Sequence, residues 1–176
     1  SNPEKLVDDL VSFVTATRKC NHEDWIKGHQ FRWLVIFGHY LGPLQFISRA
    51  MKKIYNITYK DFYTDLLSFC EKNPNTYIGK EYLTIRKNLT KILKNKRHWG
   101  DVIPGVGNIN WEVDEATCIR LVKNTQIFYK EMSTYLINKY QVTHHDLFRH
   151  FLERKTIENA WGNEIKKGDS LVYHSH

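Results

Sequence analysis

Apolar residues recur at helical spacing along almost the whole chain, separated by short polar breaks. Over residues 22–40, apolar side chains cover most of the helix circumference, which predicts a central and largely buried helix. Over residues 78–97 they form a single stripe, typical of a helix with one face on the core. That stripe consists of Tyr82, Ile85, Leu89 and Ile92.

The breaks between these segments carry residues that begin or end helices. Asn21 and Thr58 are suited to be N-caps, and Asp61 stands three positions after Thr58, as in a variant of the capping box. Gly42 and Pro43 end the aromatic segment, and proline fits the first turn of the helix that follows. The predicted helices span residues 3–15, 22–40, 43–55, 59–72, 78–97, 114–139 and 144–160.

The remaining segments are predicted to be irregular. Residues 98–110 are rich in glycine and hold Pro104, so we expect a loop there. Residues 161–176 have the character of a polar tail, with a short strand at 171–173. The pattern therefore predicts an all-α fold: a single-domain orthogonal bundle of about six to seven helices with an irregular C-terminal tail.

Length and composition agree with one globular domain. The chain has 176 residues, of which 41% are hydrophobic, enough to bury a core. It begins Ser1-Asn2-Pro3 without an initiator methionine, so we expect a fragment excised from a longer protein, the alternative being a processed mature chain. No apolar run approaches the roughly 18 residues of a membrane span and no signal peptide is visible, which favours a cytoplasmic protein.

The three cysteines, Cys20, Cys70 and Cys118, are far apart and odd in number. This pattern argues against a disulfide framework and against a zinc or iron–sulfur site, and it indicates ordinary reduced thiols. The sequence also holds no His-x-x-x-His pair with a nearby carboxylate. We therefore expect no metal site within this chain.

The chain is basic, with a net charge of +7. That charge permits nucleic acid, an anionic substrate or an acidic neighbouring domain as partner, and it does not choose among them. A run without acidic residues covers 86–98, where Lys87, Lys91 and Lys94 share one helical face. Such a face either contacts phosphates or is simply solvated or docked on an acidic domain. The candidate anion-binding residues are Arg86, Lys87, Lys91, Lys94 and Arg97.

The aromatic helix offers a second candidate surface. Trp25, His29 and Trp33 are spaced by four, so they share one face. This face is either the wall of a pocket for a flat ligand or part of the core. Gly28 and Gly38 lie in the same helix, and because glycine is unfavourable there, we expect each to permit close packing of a neighbour or ligand.

The loop at 98–110 is the strongest site candidate on physical grounds. Long irregular segments inside compact helical domains are uncommon and often functional. Trp99 and Asp101 belong to a set of groups suited to recognition, together with His98 and Trp111. The alternative is an ordered connector whose tryptophans pack on the core.

Several short motifs between residues 20 and 69 resemble one known family. They are the acidic start His22-Glu23-Asp24-Trp25, the pair Phe31 and Trp33, the sequence His39-x-x-Gly42, and Thr58-Tyr59-x-x-Phe62-Tyr63. As a set they resemble the C-terminal helical region of cobalamin-binding radical SAM enzymes.

The resemblance implies an accessory domain that packs on the radical SAM barrel and cobalamin domain of the same polypeptide. It also implies that this domain helps to close the substrate side of the active site. It implies a methyltransferase or cyclase whose full length binds a 4Fe–4S cluster, S-adenosylmethionine and cobalamin. The chain contains neither Cys-x3-Cys-x2-Cys nor Asp-x-His-x-x-Gly, so we expect no cofactor and no catalytic residue in it. The substrate-pocket candidates are His29, Trp33, His39, Tyr63, Trp99 and Asp101.

A second hypothesis rests on charge alone. The chain would then be a stand-alone basic helical module that binds nucleic acid or an anionic protein partner through the 86–98 run. This hypothesis predicts binding that weakens steeply with salt.

Overall fold

The computed structural model describes residues 21–94 and 100–143. Within these ranges the chain forms six α-helices, one π-helix and one two-stranded antiparallel sheet, which confirms the all-α prediction. The predicted helices at 3–15 and 144–160, the tail at 161–176 and the strand at 171–173 lie outside the described residues. The elements are α1 His22–Val35, the π-helix Ile36–Tyr40, α2 Gln45–Tyr55, α3 Tyr59–Lys72, α4 Tyr77–Leu93, β1 Asp101–Val102, β2 Asn110–Trp111, α5 Val113–Lys123 and α6 Thr125–Tyr140.

The two predicted N-caps are confirmed. Asn21 Oδ1 accepts a hydrogen bond from the Asp24 amide at 2.9 Å, and the Asp24 carboxylate accepts one from the Asn21 amide at 3.2 Å. Thr58 Oγ1 accepts from the Asp61 amide at 3.1 Å and donates to the Asp61 carboxylate at 2.6 Å. These bonds satisfy amides that have no partner within the helix, and so fix where α1 and α3 begin.

The single helix predicted over 114–139 is wrong, because the structure breaks it at Asn124 into α5 and α6. The Asn124 side chain donates to the Arg120 carbonyl oxygen at 2.9 Å. Thr125 Oγ1 lies 3.2 Å from the Leu121 carbonyl oxygen and 2.9 Å from that of Val122. Side chains of this kind take carbonyl oxygens that the next helical turn would otherwise use.

The predicted helix over 22–40 is continuous, but its last five residues are π-helical. The Leu41 amide donates to the Ile36 carbonyl oxygen at 2.9 Å, five residues earlier. Gly38 lies in this turn, and a Cβ there would stand 2.9 Å from Leu44 Cδ1. The predicted close packing at Gly38 is therefore confirmed. At Gly28 no described neighbour packs closely, since no such atom lies within 4 Å of a Cβ, and the packing of a ligand there stays a prediction.

The core joins α1 and the π-helix to α6. The Trp33 and Phe37 rings stack with centroids 5.8 Å apart, and Phe37 meets Phe128 edge-on at 6.0 Å. All three side chains are essentially fully buried, and each contributes about 1.5–3 kcal/mol by leaving water. Tyr129 of α6 also donates a hydrogen bond to the Pro43 carbonyl oxygen at 2.7 Å. These contacts fix the turn that follows the π-helix.

The loop predicted at 98–110 is partly ordered as a hairpin. Asp101 pairs with Trp111 and Val102 with Asn110. Gly100 enters the hairpin with φ +122°, and a Cβ there would stand 2.5 Å from the Trp111 carbonyl oxygen. Only glycine fits this position. Residues 95–99, and with them Trp99, lie outside the described part of the chain.

Candidate functional site

His39 lies in the π-helix and is held by Ser48 of α2. Its Nδ1 atom is 3.2 Å from Ser48 Oγ. Ser48 Oγ also lies 3.0 Å from the Gln45 carbonyl oxygen, which can only accept, so we assign the serine hydrogen to that bond and the Ser48 oxygen as the acceptor from His39. On this assignment the proton of the neutral imidazole is on Nδ1, which leaves a lone pair on Nε2.

Tyrosine side chains surround the His39 ring. The ring meets Tyr59 at a centroid distance of 5.2 Å, Tyr40 at 5.7 Å and Tyr63 at 6.1 Å, each in an edge-on arrangement. Tyr63 is buried, whereas Tyr40 is 75% exposed, so the group reaches from the core to the surface. The name His39 site refers to His39, Ser48, Tyr40, Tyr59 and Tyr63.

The electrostatics of the His39 site favour neutral groups. Burial lowers the pKa of His39, and the positive charge of Arg49 lowers it further. Burial raises the pKa of Tyr63 to about 12, with a smaller opposing effect of Ser48. At neutral pH the site thus offers a neutral imidazole as an acceptor and a protonated phenol.

This arrangement can recognise or deprotonate an O–H or N–H group. A neutral imidazole with one nitrogen fixed as donor is a hydrogen-bond acceptor and a general base at its other nitrogen. π-Helical turns occur frequently at functional sites, because they re-aim the side chains that follow. Here the turn carries His39 and Tyr40. His39 and Tyr63, both predicted as site residues, are thus brought together.

Two other predicted pocket residues, His29 and Trp33, lie elsewhere. Trp33 is buried, and its Nε1 donates to Thr117 Oγ1 at 3.1 Å. His29 Nδ1 donates to the Trp25 carbonyl oxygen at 3.0 Å, and the two rings of these residues lie 4.0 Å apart. His29 and Trp33 line a crevice of about 10 Å³, too small for a ligand, and His39 does not line it.

Asp101, the loop candidate, takes part in a partly buried ionic network. Arg120 Nη1 donates to Asp101 at 3.0 Å, while Arg120 Nε and Nη2 donate to Glu81 at 2.8 Å and 2.7 Å. Asn88 donates to the other Asp101 oxygen at 3.5 Å, and Thr117 Oγ1 lies 3.2 Å from Glu81. The Arg120 network, as we name it, ties the hairpin to α4 and α5.

Four of the five members of the Arg120 network were missed by sequence reasoning, namely Glu81, Asn88, Thr117 and Arg120. Glu81 is 7% exposed and lies beside Tyr82 in the apolar stripe of α4. An acidic residue at such a position signals a buried partner, and that signal was available. Burial acts to lower the pKa of Arg120, but the hydrogen bonds and charges of Glu81 and Asp101 outweigh it and raise that pKa. Asp101 therefore anchors the hairpin.

The predicted anion-binding residues fall into three groups: one forms an ion pair, three line a groove, and one lies outside the described residues. Arg86 donates two hydrogen bonds to Glu23, at 3.0 Å and 2.8 Å, and this bonding holds the pKa of Glu23 below its usual value. Lys87, Lys91 and Lys94 line an open groove of about 470 Å³ on α4. Arg97 lies outside the described residues. No carboxylate is among the described residues that line this groove.

The two cysteines within the described ranges, Cys70 and Cys118, show no sign of reactive chemistry. Cys70 is buried and Cys118 half-buried, both are free thiols, and burial raises the pKa of each to about 12. Cys20 lies outside the described residues. Within residues 21–94 and 100–143, no three His, Cys, Asp or Glu side chains are grouped to hold a metal ion. None of the helices described is long and apolar enough to cross a membrane.

No protein-family model matches this sequence, and the comparison with curated proteins finds no match.

Proposed function

We propose that this chain is the C-terminal accessory domain of a cobalamin-dependent radical SAM enzyme, with the His39 site facing the substrate. The supporting observation is spatial. His39 belongs to one motif of the resemblance, and Tyr59 and Tyr63 belong to another, some twenty positions later. The centroids of the Tyr59 and Tyr63 rings nevertheless lie 5.2 Å and 6.1 Å from that of His39. Packing alone does not require a half-buried histidine with one fixed tautomer at that place.

In this proposal the domain binds and orients the substrate and does no chemistry by itself. The iron–sulfur cluster, S-adenosylmethionine and cobalamin belong to the barrel and cobalamin domain, which are also the partners of this surface. His39 Nε2 accepts a hydrogen bond from a substrate O–H or N–H. The exposed ring of Tyr40 would pack against the substrate or the barrel.

The test uses the full-length enzyme with His39 replaced in two ways. His39→Asn keeps a donor near the Nδ1 position and removes the Nε2 acceptor, whereas His39→Gln places an amide oxygen near Nε2. Loss of one hydrogen bond lowers kcat/KM about three- to tenfold, and loss of a general base lowers it at least about a hundredfold. Because His39 only binds the substrate in this proposal, we expect His39→Asn to lower kcat/KM by the factor of about three to ten and His39→Gln to recover part of the activity.

A matched control is His29→Asn, because His29 lies outside the His39 site. Cleavage of S-adenosylmethionine without substrate reports on the rest of the enzyme and should not change in any variant. Equal kcat/KM for the wild type and His39→Asn would rule out the assigned role of His39.

A second candidate function rests on the α4 groove. Its three lysines, Lys87, Lys91 and Lys94, face solvent without a carboxylate among the described lining residues. This favours a contact with nucleic acid or another polyanion. The test is titration with a 20-base-pair DNA duplex at several salt concentrations. Replacing the three lysines by glutamate should abolish binding, and replacing Lys53, Lys60 and Lys80 should not. Salt-independent binding would remove this candidate.

A further inference from the structure

A cleft of about 570 Å³ lies between α3 and α6, away from the His39 site. Its volume is within the range of small-molecule sites. Asp65 and Tyr140 mark one end, where the Tyr140 hydroxyl donates to Asp65 at 2.9 Å. The connection from α3 to α4 closes the other end, where the Tyr77 amide donates to Glu131 at 2.6 Å. The two helices therefore run antiparallel along the cleft.

Both acidic groups that line this cleft are already engaged. Asp65 accepts from Tyr140 and also pairs with Lys139, whose Nζ lies 3.3 Å away. Glu131 accepts the Tyr77 amide hydrogen. Lys139 balances the charge of Asp65, and the Tyr77 amide satisfies one oxygen of Glu131.

Two lysines that line the cleft have no such partner. Lys72 is the last residue of α3, Lys130 lies beside Glu131 on α6, and both are exposed. Within residues 21–94 and 100–143, neither ammonium group forms an ion pair. Since Glu131 bonds at the α3–α4 end, both lysines belong to that end of the cleft. The charge left unbalanced there is positive.

The cleft also has an aromatic wall. The Phe69 and Tyr135 rings lie 4.6 Å apart with planes inclined at 45°. Tyr135 is 5% exposed, and both residues line the cleft. Phe69, which is half-buried and backed by Tyr135, therefore offers the apolar surface on which a flat ring can pack.

We infer that this cleft binds a small aromatic anion. Its ring packs on Phe69 and Tyr135, and its carboxylate or phosphate lies between Lys72 and Lys130. Both anionic groups present the same chemistry to a pair of ammonium groups. The cations supply attraction at the α3–α4 end of the cleft and the rings supply the apolar contact, so a ligand needs both features to bind well.

The test is an isothermal calorimetry titration of the whole 176-residue chain with 2-naphthoate. We expect saturable binding of one equivalent. Naphthalene-2-methanol, which lacks the charge, and propionate, which lacks the ring, should each bind at least about tenfold more weakly. A parallel titration with naphthyl phosphate distinguishes a phosphate ligand from a carboxylate ligand, because the probe with the preferred anionic group binds more tightly.

Charge variants locate the binding. Lys72→Gln combined with Lys130→Gln should weaken 2-naphthoate binding about three- to tenfold, as expected for two exposed charge pairs. The matched control, Lys53→Gln with Lys60→Gln, removes the same charge from residues that do not line the cleft. Equal weakening by both pairs, or no binding of 2-naphthoate at millimolar concentration, would overturn the inference.

Discussion

Ser48 holds the imidazole of His39 through a single hydrogen bond of 3.2 Å, although the two residues lie on different helices. The bond assigns the proton to Nδ1, because the Ser48 hydroxyl donates to Gln45. The account of the His39 site depends on this assignment, since it leaves Nε2 as an acceptor.

Ser48→Ala should release this tautomer. Without the Ser48 oxygen, the Nδ1–H of His39 loses its acceptor, so the imidazole should shift toward the Nε2–H form. Stability should fall by about 1 kcal/mol. Imidazole ¹⁵N shifts measure the tautomer, and Ser68→Ala serves as control, because the Ser68 hydroxyl donates to the Thr64 carbonyl oxygen of its own helix. Persistence of the Nδ1–H form in Ser48→Ala would contradict the assignment.

Protonation of His39 should destabilise the fold. The folded-state pKa of His39 lies below its ordinary value, chiefly through burial, so the unfolded chain binds more protons near that pH. Stability therefore rises with pH through this window and falls as pH drops below about 6.5. The difference in Tm between pH 7.5 and pH 5.5 should be smaller in His39→Asn than in the wild type. An unchanged difference would show that His39 does not contribute.

Gly28 and Gly38 should respond to alanine in opposite directions. Gly28→Ala adds a Cβ where no described atom lies within 4 Å, so the better helix propensity should stabilise the fold by about 0.5–1 kcal/mol. Gly38→Ala forces Cβ against Leu44 and Tyr63, at 2.9 Å and 3.1 Å, and should cost about 1–3 kcal/mol. Urea unfolding measures both. Stabilisation by Gly38→Ala would mean that the π-helix is not closely packed.

The two arginine–glutamate pairs should differ in how much they contribute to the free energy of unfolding. Arg120→Met leaves Glu81, whose side chain is 9% exposed, without its partner, so we expect a loss of about 3 kcal/mol. Arg86→Met breaks the exposed pair with Glu23 and should cost less than about 1 kcal/mol. Equal losses in urea unfolding would contradict the role of the Arg120 network.

The helices were predictable where local chemistry decides them. The Asn21 and Thr58 caps each depend on a partner three positions later, Asp24 and Asp61, so the local sequence predicts them. Helix α3 runs from Tyr59 to Lys72, as predicted. The break at Asn124 has neither glycine nor proline to mark it, since it depends on side-chain bonds that compete with the backbone. The π-helix depends on how Gly38 packs on Leu44, a tertiary contact.

The candidate site was predictable only in part. His39 and Tyr63 were named from motifs, and the structure brings them together. Trp33 was named from its place on an aromatic face, but spacing alone cannot tell a pocket wall from a core. Ser48 lies nine positions from His39 across the turn after the π-helix, so no pattern in sequence linked them.

The most direct test of the proposed function is the genomic reading frame upstream of Asn2. The proposal predicts a longer polypeptide that contains Cys-x3-Cys-x2-Cys and Asp-x-His-x-x-Gly before this domain. A start codon immediately upstream, with neither motif in the frame, would contradict it, and the salt dependence of DNA binding would then become the decisive measurement.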